Sequence, residues 1–328
     1  MHLVADGGTP VPRPLPVDGL ESDDGRLLAT AGPLFPAPGD RIALDGHRVV
    51  VTRGAGRSPR PAAPPGAAGT ADGCTGADGP SGPIRSPRAP GGAYGRPMTV
   101  ERTAAVRGIR LAYRESGAPG APPLVLLHAL GERRPDWGAV APALARHRRV
   151  YAPDLRGHGR TEWPGEYSLE AMRDDVLALL DTLGLDVVDL VGHSMGGVVG
   201  YLLAQQQPHR VRRLVLEDAP PPLPRVPSVP TRPDGPLDFD WDMVLALRRQ
   251  IDSPDPAWLD GLARITADTL VIAGGPSSHV PQQGLAELAR RVPGARLITV
   301  PVGHLVHAAA PEAFTEAVLA FLLGDRER

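Results

Sequence analysis

Residues 187–198, Val-Val-Asp-Leu-Val-Gly-His-Ser-Met-Gly-Gly-Val, constrain the fold more than any other stretch of this chain. The apolar run Val187–Val191 is too short for a helix and reads as a buried strand. It enters Gly192-His193-Ser194-Met195-Gly196 without a linker, and the apolar segment after Ser194 reads as a helix to about Gln207, before Pro208. A serine on a strand-to-helix turn this sharp sits in strained backbone, and its neighbours must be small for the turn to close. The helix start adds free N–H groups and partial positive charge where an oxyanion would form. A bare G-x-S-x-G is common by chance; between a strand and a helix it marks a nucleophile.

From Met98 onward, strand-like and helix-like runs alternate in the pattern of a mostly parallel sheet flanked by helices, an α/β fold. Expected strands are Ile109–Ser116, Leu124–His128, Val150–Asp154, Val187–Val191, Val211–Glu217, Leu270–Ala273 and Arg296–Val300. Helices are expected near Trp137–Arg146, after a Ser168 N-cap through Leu183, and over Pro311–Leu323 with Pro in the first turn. About 50 residues between Asp218 and Leu270 hold two Pro-rich stretches and two short helices, Asp240–Gln250 and Asp255–Ile265. They form a small helical lid, over about 219–268. Trp241, Met243, Leu245 and Trp258 are apolar enough to touch a substrate, but at helical spacing they read first as packing the lid onto the core.

The first 97 residues have a different composition. They hold 34 of the 78 Gly and Pro residues, and Gly54–Pro97 has 20 in 44 positions, which reads as a flexible linker. Asp45-Gly46, between two short apolar-bearing runs, predicts a hairpin over 40–52. The division is therefore a low-complexity extension, 1–97, and a 231-residue domain, 98–328. Residues 1–53 read as a docking or targeting module or, more simply, as a dispensable extension with Met98 as the natural start.

All 35 basic residues are Arg, which removes Lys nucleophiles, Schiff bases and Lys-dependent phosphate loops. A formal net charge of −2 provides no basic field for nucleic acid or an anionic membrane. The single cysteine, Cys74, excludes intrachain disulfides and Cys-rich zinc sites. No apolar run approaches the roughly 18 residues of a membrane span, and the N-terminus lacks the basic and apolar regions of a signal peptide. A soluble, cytoplasmic protein acting on a small molecule is expected, with no nucleic-acid or membrane partner and no implied oligomeric state.

Four motifs in order resemble the α/β-hydrolase family over essentially all of residues 98–328. Leu124–Gly131 (LVLLHALG) resembles the strand and oxyanion loop, and Asp154–Thr161 (DLRGHGRT) the structural loop after the next strand. GHSMGG is similar to the nucleophile elbow, and Val302–Phe314 to the loop of the catalytic histidine and the start of the last helix. The resemblance implies Ser194 as nucleophile, His304 as general base and acid, and the backbone N–H groups of Met195 and Leu130 as the oxyanion hole. Two positions depart from the family. Ala129 stands where Gly usually follows the loop histidine, and the loop after Leu270–Ala273 has no Asp or Glu, with Ser277 about where the acid belongs. Leu216-Glu-Asp-Ala-Pro220 supplies a substitute: Asp218 is the candidate acid and Glu217 the fallback, while the bland alternative has Asp218 merely capping a strand.

The other polar residues are given quieter roles. His307 lacks an HExxH pattern or a third ligand and reads as packing; His193 reads as structural; His279 either lines the cleft or forms a hydrogen bond. Arg156, His158 and Asp154 read as a turn-stabilising network. The expected activity is esterase-like, on a small or medium carboxylic ester, thioester or lactone through a Ser194 acyl-enzyme, with no metal or organic cofactor. Alternatives are carbon–carbon bond hydrolysis or cofactor-free perhydrolysis on the same scaffold, and a non-catalytic receptor or scaffold. A nucleophilic Ser rather than Asp argues against epoxide hydrolase and haloalkane dehalogenase chemistry.

Overall fold

The computed structural model describes residues 99–324, together with the backbone of four short strands nearer the N-terminus. The chain divides into two compact units, Met1–Ser86 and Pro87–Arg328. In the first, β1 (His2–Val4) pairs antiparallel with β2 (Val11–Arg13), and β3 (Arg41–Asp45) with β4 (Arg48–Thr52). β3 and β4 fall within the 40–52 segment, with Asp45 paired to Arg48, and the residues between them lie outside the described ones. The linker expected over 54–97 lies outside the described residues.

The second unit is built on an eight-stranded sheet. It opens with β5 (Val100–Val106) and β6 (Ile109–Ser116), an antiparallel hairpin turned by Arg107 and Gly108, both at positive φ (45° and 82°). That two-residue turn matches the twist of its strands. There follow β7 (Pro123–Leu127), β8 (Arg149–Pro153), β9 (Val188–His193), β10 (Val211–Glu217), β11 (Asp268–Ala273) and β12 (Arg296–Thr299). The helices are α1 (Ala141–Leu144), α2 (Leu169–Thr182), α3 (Met195–Gln206), α4 (Trp241–Asp252), α5 (Pro256–Gly261), α6 (Gln282–Arg291), α7 (Val306–Ala309) and α8 (Pro311–Leu323). Spatial order is β12-β11-β10-β9-β7-β8-β6-β5; β6 runs antiparallel to both neighbours and all other pairings beyond it are parallel.

The period-two alternation of the strands divides the core into two layers. Leu124, Leu126, Val191, Val215 and Ile272 face the layer of Trp137, Leu144, Phe314 and Val318. Val125, Leu127, Leu190, Leu214 and Val271 face the other, with α2, α3 and α6. Met243 and Trp258 are buried in this second layer, packing inward as expected, while Trp241 and Leu245 are half-buried. Ser168 caps α2 by accepting from the Ala171 amide at 3.0 Å. In the second unit three elements went unanticipated: β5, α6 and α7. No helix among the described residues is long and apolar enough to cross a membrane.

Asp189 is a buried charge inside β9, a strand buried along its whole length. Its carboxylate accepts from Arg148 Nε (3.1 Å) and from Arg212 Nε and Nη2 (2.9 and 2.7 Å). Arg148 and Arg213 also donate to the Leu322 carbonyl, satisfying the C-terminal end of α8. Asp189 thus ties the sheet to the last helix through guanidinium groups. Breaking a buried pair leaves an uncompensated charge, so Asp189→Ala is expected to lower unfolding free energy by about 3–5 kcal/mol. Urea denaturation checks this, and a loss below about 1 kcal/mol would contradict the account.

Candidate active site

Ser194 sits between β9 and α3 at φ 50° and ψ −115°, a conformation that costs a non-glycine residue about 1–3 kcal/mol. The turn leaves no room for side chains beside it. A Cβ on Gly192 would lie 2.4 Å from the Gly196 carbonyl oxygen, and one on Gly196 would lie 2.1 Å from that of Leu127. The Ser194 amide donates to the Glu217 carbonyl at 2.9 Å, and its carbonyl accepts from the amides of Gly197 and Val198 at 3.0 and 3.2 Å. Strain is therefore held by hydrogen bonds on both sides, and the residue retains 8% exposure.

Asp218 follows β10, the next strand of the sheet, also at positive φ (42°). Its side chain is fully buried. Oδ1 accepts from the Gly274 amide at 2.8 Å, while Oδ2 accepts from the Ser278 hydroxyl and from His304 Nδ1 at 2.7 Å. Burial alone would raise the carboxyl's pKa, but the bonds from His304, Ser278 and Gly274 outweigh it and hold the pKa below the ordinary value. With Nδ1 donating, His304 keeps the Nε2 lone pair. The loop after β11, which has no Asp or Glu, thus supplies two donors to the Asp218 carboxylate. Ser278 makes the contact; Ser277, at the expected acid position, has no such bond. Glu217, the fallback acid, binds His307 instead.

The loop after β7 is shaped from both sides. The Ala129 amide donates to Glu132 Oε2 at 3.0 Å and the Gly131 amide to His158 Nε2 at 3.1 Å. Leu130, between them, has no hydrogen-bond partner for its amide among the described residues, and Met195 is the first residue of α3, where amides lack helical acceptors. Ala129 is not among the positive-φ residues, so its methyl brings no backbone strain. Asp154 binds the amides of Arg134 and Arg160 and the Arg134 guanidinium, and Arg156 pairs with Asp175 at 2.6 and 2.7 Å. His158 donates Nδ1 to the Arg156 carbonyl; burial and nearby His128 push its pKa well down, so it is neutral and accepts from Gly131. The expected turn-stabilising network thus also holds the loop after β7. His279 is exposed and lies against His304, ring centroids 4.1 Å apart.

Sequence reasoning missed Glu132. Its carboxylate accepts from His193 Nδ1 at 3.1 Å, while His193 Nε2 donates to the His304 carbonyl at 3.0 Å. Both acceptors lack a proton, so His193 carries two and is an imidazolium. Burial opposes that charge, but Glu217 and Glu132 overcome it and raise the pKa to about 9. Glu132 goes the other way: burial resists, the bond to His193 prevails, and its pKa falls to about 2. His307 donates Nδ1 to both Glu217 oxygens at 2.9 and 3.0 Å. A third group does therefore accompany His307, since donor atoms of Glu132, His193 and His307 lie within 4.8 Å of one another. Both nitrogens of His193 carry protons, however, which leaves no lone pair there for an ion.

The sequence profile of the α/β-hydrolase fold matches residues 122–246. An sn-1-specific diacylglycerol lipase from Mus musculus is 30% identical over 259 residues, covering 61% of this chain and 81% of that protein. A 2-hydroxy-6-oxo-2,4-heptadienoate hydrolase from Pseudomonas putida is 46% identical over 102 residues, covering 30% of this chain and 37% of that protein. Among solved structures, a hydrolase from Pseudomonas aeruginosa PA01 shares 32% identity at TM-score 0.55, covering 69% of this chain and 98% of that one. The enol-lactonase of Burkholderia xenovorans LB400 shares 29% at TM-score 0.53, covering 68% and 100%.

Two outcomes follow from the geometry. Gly196→Ala forces a methyl onto the Leu127 carbonyl and is expected to cost about 1–3 kcal/mol in chemical denaturation; wild-type stability would contradict the close approach. The second concerns pH. His193, its pKa raised from 6.5 to about 9, contributes stability that is complete below 6.5 and lost as pH rises through about 9. Glu132, lowered from 4.5 to about 2, contributes stability present above 4.5 and lost as pH falls towards 2. Buried neutral His128 and His158 add an acid-side loss below 6.5. Thermal melts should show a maximum near pH 6.5 and a decline towards pH 9, and a Tm still rising from pH 7 to 9 would contradict this.

Proposed function

Because the chain belongs to the α/β-hydrolase fold family and is an α/β-fold hydrolase, we propose that it is a serine hydrolase cleaving a small or medium carboxylic ester, thioester or lactone. The catalytic domain is residues 98–328, acting in the cytoplasm on a small-molecule substrate, with 1–97 as an extension. The observation that carries the reading is the 2.7 Å bond from His304 Nδ1 to the buried Asp218 carboxylate, on the sheet edge that also carries the strained Ser194.

Ser194 Oγ attacks the substrate carbonyl carbon as His304 Nε2 takes its proton. Asp218, ionised, stabilises the imidazolium and keeps Nδ1 protonated, so the correct nitrogen remains the base. The tetrahedral oxyanion is met by the amides of Met195 and Leu130, worth about a hundredfold or more in rate for each donor. Collapse breaks the bond to the leaving group, which receives the proton from His304. Water, deprotonated by the same imidazole, then hydrolyses the Ser194 ester. No metal or cofactor enters these steps. Carbon–carbon bond hydrolysis is the second reading, favoured by the 46% local match to the heptadienoate hydrolase.

Intact-mass labelling with a fluorophosphonate, beside a short-chain p-nitrophenyl ester assay, tests the reading. Stoichiometric labelling of Ser194 and ester turnover are expected, with turnover in Asp218→Asn reduced by about 10⁴. Unlabelled, well-folded wild type would refute catalysis and favour a ligand receptor. Labelling without ester turnover, but with cleavage of a dienoate ketone, would favour the carbon–carbon reading.

A further inference from the structure

Glu132, His193, Glu217 and His307 form a charged cluster that no proton transfer above uses, although His193 immediately precedes the nucleophile. Its members come from separate segments: Glu132 from the loop after β7, His193 from the end of β9, Glu217 from the end of β10 and His307 from α7. His193 and Glu217 are completely buried, and His307 almost completely. His193 joins two segments at once, with Nδ1 on the Glu132 carboxylate and Nε2 on the His304 carbonyl. The Glu132 oxygen that receives His193 also receives the Ala129 amide, one residue before the Leu130 amide assigned to the oxyanion hole.

Resting on the serine-hydrolase reading, we propose that Glu132 and His193 are a positioning pair whose doubly protonated imidazole holds the oxyanion loop and the loop of the catalytic base in register with Ser194. A neutral imidazole has one N–H and can keep only one of the two bonds. Deprotonation must therefore release either the His304 backbone or Glu132, and with Glu132 the turn that aims Leu130. Displacements of about 1 Å at such groups cost on the order of a hundredfold in rate. The groups facing His193 are Glu132, Glu217, His304 and His307. Glu132 and Glu217 favour its charge. The ring of His304 is 4.7 Å away and that of His307 is 5.0 Å away. The two carboxylates balance the charge that His193 would otherwise set against the His304 imidazolium formed in each proton transfer.

Two measurements test the pair. In Glu132→Gln, kcat is expected to fall roughly ten- to a hundredfold with KM little changed. The alkaline limb of kcat, expected near pH 9 in the wild type, should move to lower pH, because the carboxylate that supports the imidazolium is gone. An unchanged kcat and alkaline limb would overturn the proposal, since a merely structural residue would leave the limb in place. The second measurement needs neither a variant nor activity: the ring nitrogens of His193 are followed by NMR in labelled wild-type protein. Persistence of both N–H groups through pH 8 supports the pair even if Glu132→Gln does not fold, and titration near pH 6.5 overturns it. Failure of fluorophosphonate labelling would refute the hydrolase reading while leaving the state of His193 measured.

Discussion

A carboxylate removed from water must be met by donors, and at the C-terminal edge of this sheet that requirement organises everything around Asp218. It projects from β10 into the space between the loops after β11 and β12, and receives a backbone amide, a hydroxyl and an imidazole N–H there. Its amide is anchored to the Ile272 carbonyl at 2.7 Å, and the Gly303 amide donates to the Gly274 carbonyl at 2.9 Å. The two loops thus close on each other as they close on the acid. Asp218 lies one strand nearer Ser194 than the loop after β11 does, and that loop serves as the donor shell of a carboxylate bonded to His304.

Charge is used inside this protein as a fastener. Asp189 joins β9 to β8 and β10 through Arg148 and Arg212, and Arg148 reaches on to the Leu322 carbonyl. Asp175 fixes Arg156 below the loop that carries His158, and Asp154 fixes Arg134. Every guanidinium in these networks presents several N–H groups in a planar fork, which suits it to buried carboxylates. The histidines divide by their acceptors. His158 faces one amide donor and one carbonyl, so it stays neutral. His193 faces a carboxylate and a carbonyl, so it is charged.

Much of this was legible in the sequence, for local reasons. Val211–Glu217 and Pro311–Leu323 form a strand and a helix at their expected bounds because apolar runs and an N-terminal proline are local signals. The elbow was legible because its strand, its glycines and its helix start are adjacent in the sequence, although Gly196 also answers to the distant Leu127 carbonyl. Asp218 was a candidate because the family resemblance implies an acid and the loop after Leu270–Ala273 has none; the structure puts its carboxylate on His304. What escaped depended on distant partners. β5 alternates weakly at the sheet edge, with its first four residues largely exposed and only the short Ala104-Ala105-Val106 run at its end. Glu132 looks like an ordinary loop carboxylate until β7 and β9 bring it against His193, 61 positions away. Ser278 acquires its role only when α6 and β11 place its loop over Asp218. No pattern within a window of ten or twenty residues encodes such meetings.

The account stands on Asp218 as the partner of His304, and the proton between them is directly observable. A strongly deshielded Nδ1–H resonance is predicted for His304 in the wild type. It should be retained in Glu217→Gln and lost in Asp218→Asn. A resonance that survives in Asp218→Asn, or disappears only in Glu217→Gln, would contradict the relocated acid and with it the proposed triad.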